Sequence, residues 1–248
     1  MPARPRCGVW LPLWLYWPLW HVVNALVWLV TGWRVAGREH VPRTGPLLVV
    51  CNHLHNADPF LISVAVNRPI CYMAKIELFR VPLLGWLIDL FGAFPIVRGA
   101  ADRQAIKTAL ELVEAGCAVG VFPEGTRSRS GSMKRGLAGI GLLAARSRAP
   151  ILPVAIAGSE RALRLWPRPT VRVTIGRPLE LAETQLTGRH YQAIVDEIMT
   201  EIARLLPPAY RGYYAAAASG APGAVPDGPV LLPAAADDRL RDGPGRRG

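Results

Sequence analysis

The sequence predicts an α/β fold: one domain with a mixed, largely parallel central sheet flanked by helices, preceded by a membrane-associated helical segment. Three observations predict it. From residue 34 to residue 206, short apolar runs alternate with stretches of helical periodicity, the pattern of strands and helices layered on one sheet. Of the 248 residues 51% are hydrophobic, enough for one substantial core. Residues 7–33 carry no Asp, Glu, Lys or Arg and hold six of the eight tryptophans.

The first segment, residues 1–33, contains Trp10, Trp14, Trp17, Trp20, Trp28 and Trp33. Indole favours the membrane–water boundary, where its ring is buried and its N–H stays wet. Arg4, Arg6, Arg34 and Arg38 flank the segment. Pro12 and Pro18 break the run, leaving Leu19–Val30 continuously helix-friendly, which is short for a span. Tryptophans spread along the segment favour an element lying in the interface over a spanning one, which its length also allows. A buried hydrophobic helix pair is the plainer alternative.

Residues 34–206 form the folded domain. Gly45-Pro46 is a turn and Leu47–Cys51 a buried strand. Asp58-Pro59 starts a helix that runs through Phe60–Val66, because Asp caps free amides and Pro suits the first helical position. Ile70–Ala74 is a second strand. Glu77–Phe91 is apolar or amphipathic, interrupted by Pro82 and Gly85. Phe94–Val97 is a short strand ending in Arg98. Asp102–Ala115 is a helix with Gly116 at its end. Ala118–Phe122 is a strand, Gly136–Ala145 a small-residue helix, and Ile151–Ala157 and Val171–Ile175 are further strands. The last helix, about Arg189–Leu206, buries Tyr191, Ile194, Val195, Ile198, Ile202 and Leu205 on one face. Pro207-Pro208 stops it. Residues 207–248 form an Ala/Gly/Pro-rich tail, read as disordered, whose one apolar run is Val230–Leu232.

The formal net charge is +11, almost all of it on residues 1–206. A basic body implies an anionic partner: nucleic acid, an anionic membrane or a phosphorylated substrate. Nucleic acid is disfavoured, since there is no zinc-ligand spacing and no basic run with interleaved aromatics. Cys7, Cys51, Cys71 and Cys117 are scattered with no C-x-x-C pair, which supports neither a zinc site nor a redox motif. A nucleophile elbow, a Walker loop, an H-E-x-x-H pair and a dinucleotide fingerprint are all missing.

Three constellations carry chemistry. His53 and Asp58 sit five apart at a strand-to-helix turn, and a carboxylate that fixes the tautomer of an imidazole makes it a useful general base. Alone, the plainer reading is stronger: Asp58 caps a helix and His53 bonds a backbone group. His55 is a weaker rival base without a carboxylate at that spacing. The second constellation is Phe122–Ser132. Gly125 frees the backbone to turn, Thr126, Ser128, Ser130 and Ser132 supply hydroxyls, and Arg127 and Arg129 supply fork-shaped cations. That mixture suits a phosphate monoester, with Glu124 bonding a substrate hydroxyl or balancing charge. A solvated loop with salt bridges explains it equally well. The third is Arg98 at a strand end before Gly99, a second candidate phosphate ligand, with Lys75 similar.

Together, and in this order, the blocks Asn52–Pro59, Gly92–Arg98, Phe122–Ser128 and Ile151–Val154, with Met73–Phe79 between, resemble the glycerolipid acyltransferase family. The likeness is greatest to bacterial 1-acyl-sn-glycerol-3-phosphate acyltransferases and covers about residues 34–206. One departure is His55, where many members carry Ser or Gln. The resemblance implies transfer of a fatty acyl group from acyl-CoA or acyl-carrier protein to the free hydroxyl of a lysophosphatidate-type acceptor, without metal or cofactor. It implies His53 and Asp58 as catalytic residues, with the blocks holding His53 and Glu124 brought together. It also implies acceptor binding by Arg98, Glu124, Gly125, Thr126 and Arg127, at the cytoplasmic face of the inner membrane. Another lysolipid or glycerol-3-phosphate is an alternative acceptor. A membrane-associated phosphoesterase and a non-catalytic lipid-binding protein of the same fold are the rivals. The first lacks a metal cluster or nucleophile, and the intact His53/Asp58 pair argues against the second.

Overall fold

The computed structural model describes residues 13–82, 84–90, 92–96, 103–162, 169–181, 191–220 and 232–233. In chain order the elements are α1 (Leu13–Val30), β1 (Arg34–Ala36), β2 (Leu47–Cys51), α2 (Asp58–Val66), β3 (Ile70–Lys75), α3 (Ile76–Phe79), α4 (Leu84–Leu90) and β4 (Phe94–Ile96). They continue as α5 (Arg103–Glu114), β5 (Ala118–Val121), α6 (Ala138–Ser147), β6 (Ile151–Ala157), β7 (Arg172–Ile175), β8 (Leu179–Glu180), α7 (Tyr191–Leu205), α8 (Ala215–Ala218) and β9 (Leu232–Pro233).

The strands form one mixed sheet in the order β1-β7-β6-β2-β5-β3-β4, with β8 on β6 and β9 on β8. β2 is parallel to both β5 and β6, β3 is parallel to β5 and β4, and β1 is parallel to β7. The antiparallel pairs are β6 with β7, β6 with β8 and β8 with β9. The expected mixed, largely parallel sheet flanked by helices is therefore present.

β2 is central because both its faces are apolar. All five of its residues are buried, and a strand covered on both sides reads as a continuous hydrophobic run. Its side chains alternate between two core clusters. Leu48 and Val50 join Val119, Leu143, Ile194 and Ile198 on one face, while Leu47, Val49 and Cys51 join Trp20, Leu61, Ile62 and Val154 on the other. α5, α6 and α7 thus cover one side of the sheet, and α1 and α2 the other.

The break expected at Pro18 does not occur. α1 runs through it from Leu13 to Val30. Proline costs a helix the bond from its own nitrogen to the carbonyl four residues back. Here Trp14 and Pro18 are both exposed, so the freed carbonyl lies on an open face. Among the described residues no helix is long and apolar enough to cross a membrane.

The expected tail also begins differently. Residues 207–220 fold back on α7 through two short 3-10 turns, Pro208–Tyr210 and Gly212–Tyr214, and the helix α8. Tyr214 is 2% exposed, so an aromatic anchor inside the Ala/Gly-rich composition ties this part to the core. Leu232 and Pro233 add an edge pair to β8.

Candidate active site

Two loops converge at the sheet edge where β2 and β5 end. These strands are parallel neighbours with Val50 opposite Val121, so the residues that follow each emerge side by side. Asn52 continues β2 with its side chain. Its amide donates to the Ile156 carbonyl and its oxygen accepts the Ile156 N–H, both at 2.9 Å. This fully buried clamp fixes where the turn starts.

Within the turn, Nδ1 of His53 lies 2.8 Å from Oδ2 of Asp58. The same oxygen accepts the Leu54 and His55 N–H groups, each at 2.7 Å. Asp58 is therefore not the cap of α2. The N-cap is Ala57, Asp58 opens the helix, and its carboxylate reaches back into the turn. Being fully buried, that carboxylate needs several donors, and the turn supplies three, all to Oδ2. A carboxylate only accepts, so Nδ1 of His53 carries the proton and Nε2 is left with a lone pair. The imidazole is 12% exposed. It stacks on Phe122 with ring centroids 4.2 Å apart and planes inclined by 23°, and Phe122 stacks in turn on Tyr72 at 5.9 Å. His55 is turned to the backbone, its Nδ1 accepting the Ala57 N–H at 3.3 Å.

The second loop follows β5. Glu124 is buried, and its Oε1 accepts the N–H of His53, 71 residues away, at 3.0 Å. Its Oε2 accepts the Lys134 N–H, also at 3.0 Å. Glu124, expected to bond a substrate hydroxyl or to balance charge, also ties the two loops together. Burial pushes its carboxyl above the ordinary range, opposed by these two donors and by the charges of His53 and Lys134. The Ser128 N–H returns to the His53 carbonyl at 2.7 Å and closes the junction. Gly125 takes φ +65°, a left-handed conformation that favours glycine.

Beyond this junction the loop opens into a cavity of about 430 Å³ lined by Lys75, Thr126, Arg127, Arg129, Ser130 and Lys134. Four of the six are cations and none is acidic. The Lys134 ammonium donates to the Arg127 carbonyl at 3.1 Å and to Thr126 Oγ1 at 3.4 Å. Lys75 arrives because β3 is the parallel neighbour of β5 and ends on the same side. Such a cavity suits a phosphate monoester.

Of the residues singled out in the sequence, His53, Asp58 and Glu124 meet in one hydrogen-bonded junction, while Gly125, Thr126 and Arg127 extend it into the cationic cavity. Arg98 lies outside the described residues. Sequence reasoning missed Asn52 as a clamp, Phe122 as the support of the imidazole, and Lys134. The only signal for Lys134 was a basic pair, Lys134-Arg135, after a Ser/Gly loop.

The chain is similar to known acyltransferases. A family model described as Acyltransferase matches residues 32–157. A 1-acyl-sn-glycerol-3-phosphate acyltransferase of Bacillus subtilis is 31% identical over 184 residues, 73% of this chain and 91% of that protein. One from Pseudomonas aeruginosa is 29% identical over 223 residues, 82% of this chain and 81% of that protein. The crystal structure of the 1-acyl-sn-glycerophosphate (LPA) acyltransferase PlsC from Thermotoga maritima superposes with a TM-score of 0.57 at 26% identity, covering 72% of this chain and 76% of that one. The match to the family model over residues 32–157 and the 31% identity to the Bacillus subtilis enzyme place this chain in the acyltransferase family.

Proposed function

We propose that this acyltransferase moves a fatty acyl group from acyl-CoA or acyl-carrier protein to the free hydroxyl of 1-acyl-glycerol-3-phosphate, forming phosphatidate. The observation that carries this reading is the junction of the His53–Asp58 pair with a cavity lined by four cations and no acid. His53 Nε2 takes the proton of the acceptor hydroxyl as its oxygen attacks the thioester carbonyl. The tetrahedral intermediate collapses with cleavage of the carbon–sulfur bond, and the imidazolium returns the proton to the departing thiolate. Asp58 holds the imidazole in its Nδ1–H tautomer and balances the transient charge. Lys75, Arg127, Arg129 and Lys134 bind the acceptor phosphate, joined by Arg98. Thr126 and Gly125 shape the glycerol end, and Glu124 keeps the two loops in register. The thioester is already activated, so the reaction calls for neither metal nor cofactor.

The cavity favours a phosphate monoester over a lysolipid with a zwitterionic headgroup, and the identity to named relatives supports the lysophosphatidate acceptor. α1 holds the site at the lipid surface on the cytoplasmic face of the inner membrane. Trp14, Leu26, Trp28 and Leu29 are exposed on it and offer apolar surface to the lipid. Purified protein with oleoyl-CoA and lysophosphatidate in mixed micelles, followed by thiol release, tests the reading. His53→Ala is expected to lower kcat by about 10³-fold, within the usual range for a general base. Full activity in that variant, or no thiol release with any lysolipid, overturns it.

A further inference from the structure

We infer that residues 207–220 are a strap that sets the acceptor-binding loop, with Tyr214 as a positioning residue. The inference rests on the reading of the cationic cavity as the acceptor phosphate site. It concerns residues beyond the 32–157 that the family model matches.

The segment Met133–Gly136 carries Lys134 into the site. The Lys134 backbone holds Glu124, and its ammonium reaches the Arg127 carbonyl and lines the cavity. The residues on both sides of Lys134 are fastened from the opposite direction. Met133 donates its N–H to the Tyr210 carbonyl at 2.9 Å, and its own carbonyl accepts the Tyr213 N–H at 3.0 Å. Gly136 donates its N–H to the Tyr214 hydroxyl at 3.0 Å. That hydroxyl donates to Asp196 Oδ1 on α7 at 2.7 Å. Gln192, one turn earlier on α7, bonds the same oxygen and the Gly136 carbonyl, both at 3.0 Å. Arg135 lies 3.5 Å from Asp196 Oδ2 and 5.7 Å over the Tyr213 ring.

The docking is backbone against backbone. Gly212 has φ +48°, and a Cβ there would meet the Met133 carbonyl oxygen at 2.2 Å. A strap merely covering apolar surface would not need so close an approach. Lys134 and Arg135 are thus left exposed between a buried Met133 and a buried Gly136, Arg135 turned to Asp196 and the Tyr213 ring and Lys134 to the cavity. Burial keeps the Tyr214 phenol neutral by raising its pKa, so it stays a donor to Asp196 throughout the working pH range.

The test is a double-mutant cycle between Tyr214→Phe and Lys134→Ala, with KM for lysophosphatidate, KM for oleoyl-CoA and kcat measured for each. Tyr214→Phe keeps the ring and loses the hydroxyl. The expected result is a rise of about tenfold in acceptor KM, with donor KM and kcat changed less than about twofold, because a displaced binding group weakens binding of one substrate. In the Lys134→Ala background the same substitution is expected to leave acceptor KM unaltered. An unchanged acceptor KM in Tyr214→Phe, or an equal effect in both backgrounds, overturns the inference while leaving the phosphate site intact. An unchanged acceptor KM in Lys134→Ala overturns the phosphate site itself and the strap's role with it. Should Tyr214→Phe not fold, Arg135→Ala at its half-exposed position loosens the same anchor and is read on the same scale.

Discussion

One oxygen of Asp58 serves three donors, and this changes what the turn is for. The carboxylate holds the His53 ring and the two backbone N–H groups after it, so the orientation of the imidazole and the shape of the turn are one object. Glu124 plays the matching part between loops. Its carboxyl is pushed above the usual 4.5 by burial, the larger influence, against donors that pull it down. A raised folded-state value means that Glu124's contribution to stability is complete below the unfolded value. It is lost as pH rises through the folded one. Glu124→Gln is therefore expected to flatten the decline in stability on going from about pH 4 to about pH 7, measured as the difference in melting temperature. It also turns an amide NH2, which cannot accept, toward one of the two N–H groups that Glu124 serves, so the variant is less stable at the acid end.

At the scale of elements, the site depends on β5 lying beside β2. Neither strand announces this in its own residues, since Leu47–Cys51 and Ala118–Val121 are both apolar runs that pair with any equally buried neighbour. Asn52 adds specificity at the end of the ladder by taking both hydrogen-bonding groups of Ile156. Asn52→Ala leaves an N–H and a carbonyl buried without that partner, and is expected to cost about 2–4 kcal/mol in urea unfolding. It also lowers kcat, because the turn bearing His53 starts from that residue. Long strands and helices were legible from their periodicity. β1, β8 and β9 were not, because two or three residues at an edge carry no period. α1 was misread at Pro18 because a proline in an exposed stretch can be carried through a helix, its freed carbonyl turning to solvent.

On the whole molecule, charge and apolar surface act together. The chain carries +11, and large apolar side chains stand exposed both on α1, at Val22, Leu26, Trp28 and Leu29, and near α4, at Val81 and Trp86. A lipid surface with negative headgroups satisfies both features. The protein is expected to co-sediment with vesicles of anionic phospholipid and to be partly released by salt. Replacing Leu26, Trp28 and Leu29 by serine lowers binding at every salt concentration. Equal binding to anionic and zwitterionic vesicles would count against the electrostatic part. The sequence by itself determined the fold class, the turn that bears His53 and Asp58, and the arginine-rich loop, because each is encoded in neighbouring residues. Only the tertiary structure decided that Glu124 joins the loops, that Lys75 and Lys134 complete the cationic cavity, and that Tyr214 anchors a strap behind it. The bond of Glu124 to His53 and that of Tyr214 to Gly136 join residues 71 and 78 positions apart. The strand order and the packing of α7 create them, and local pattern carries no trace of either.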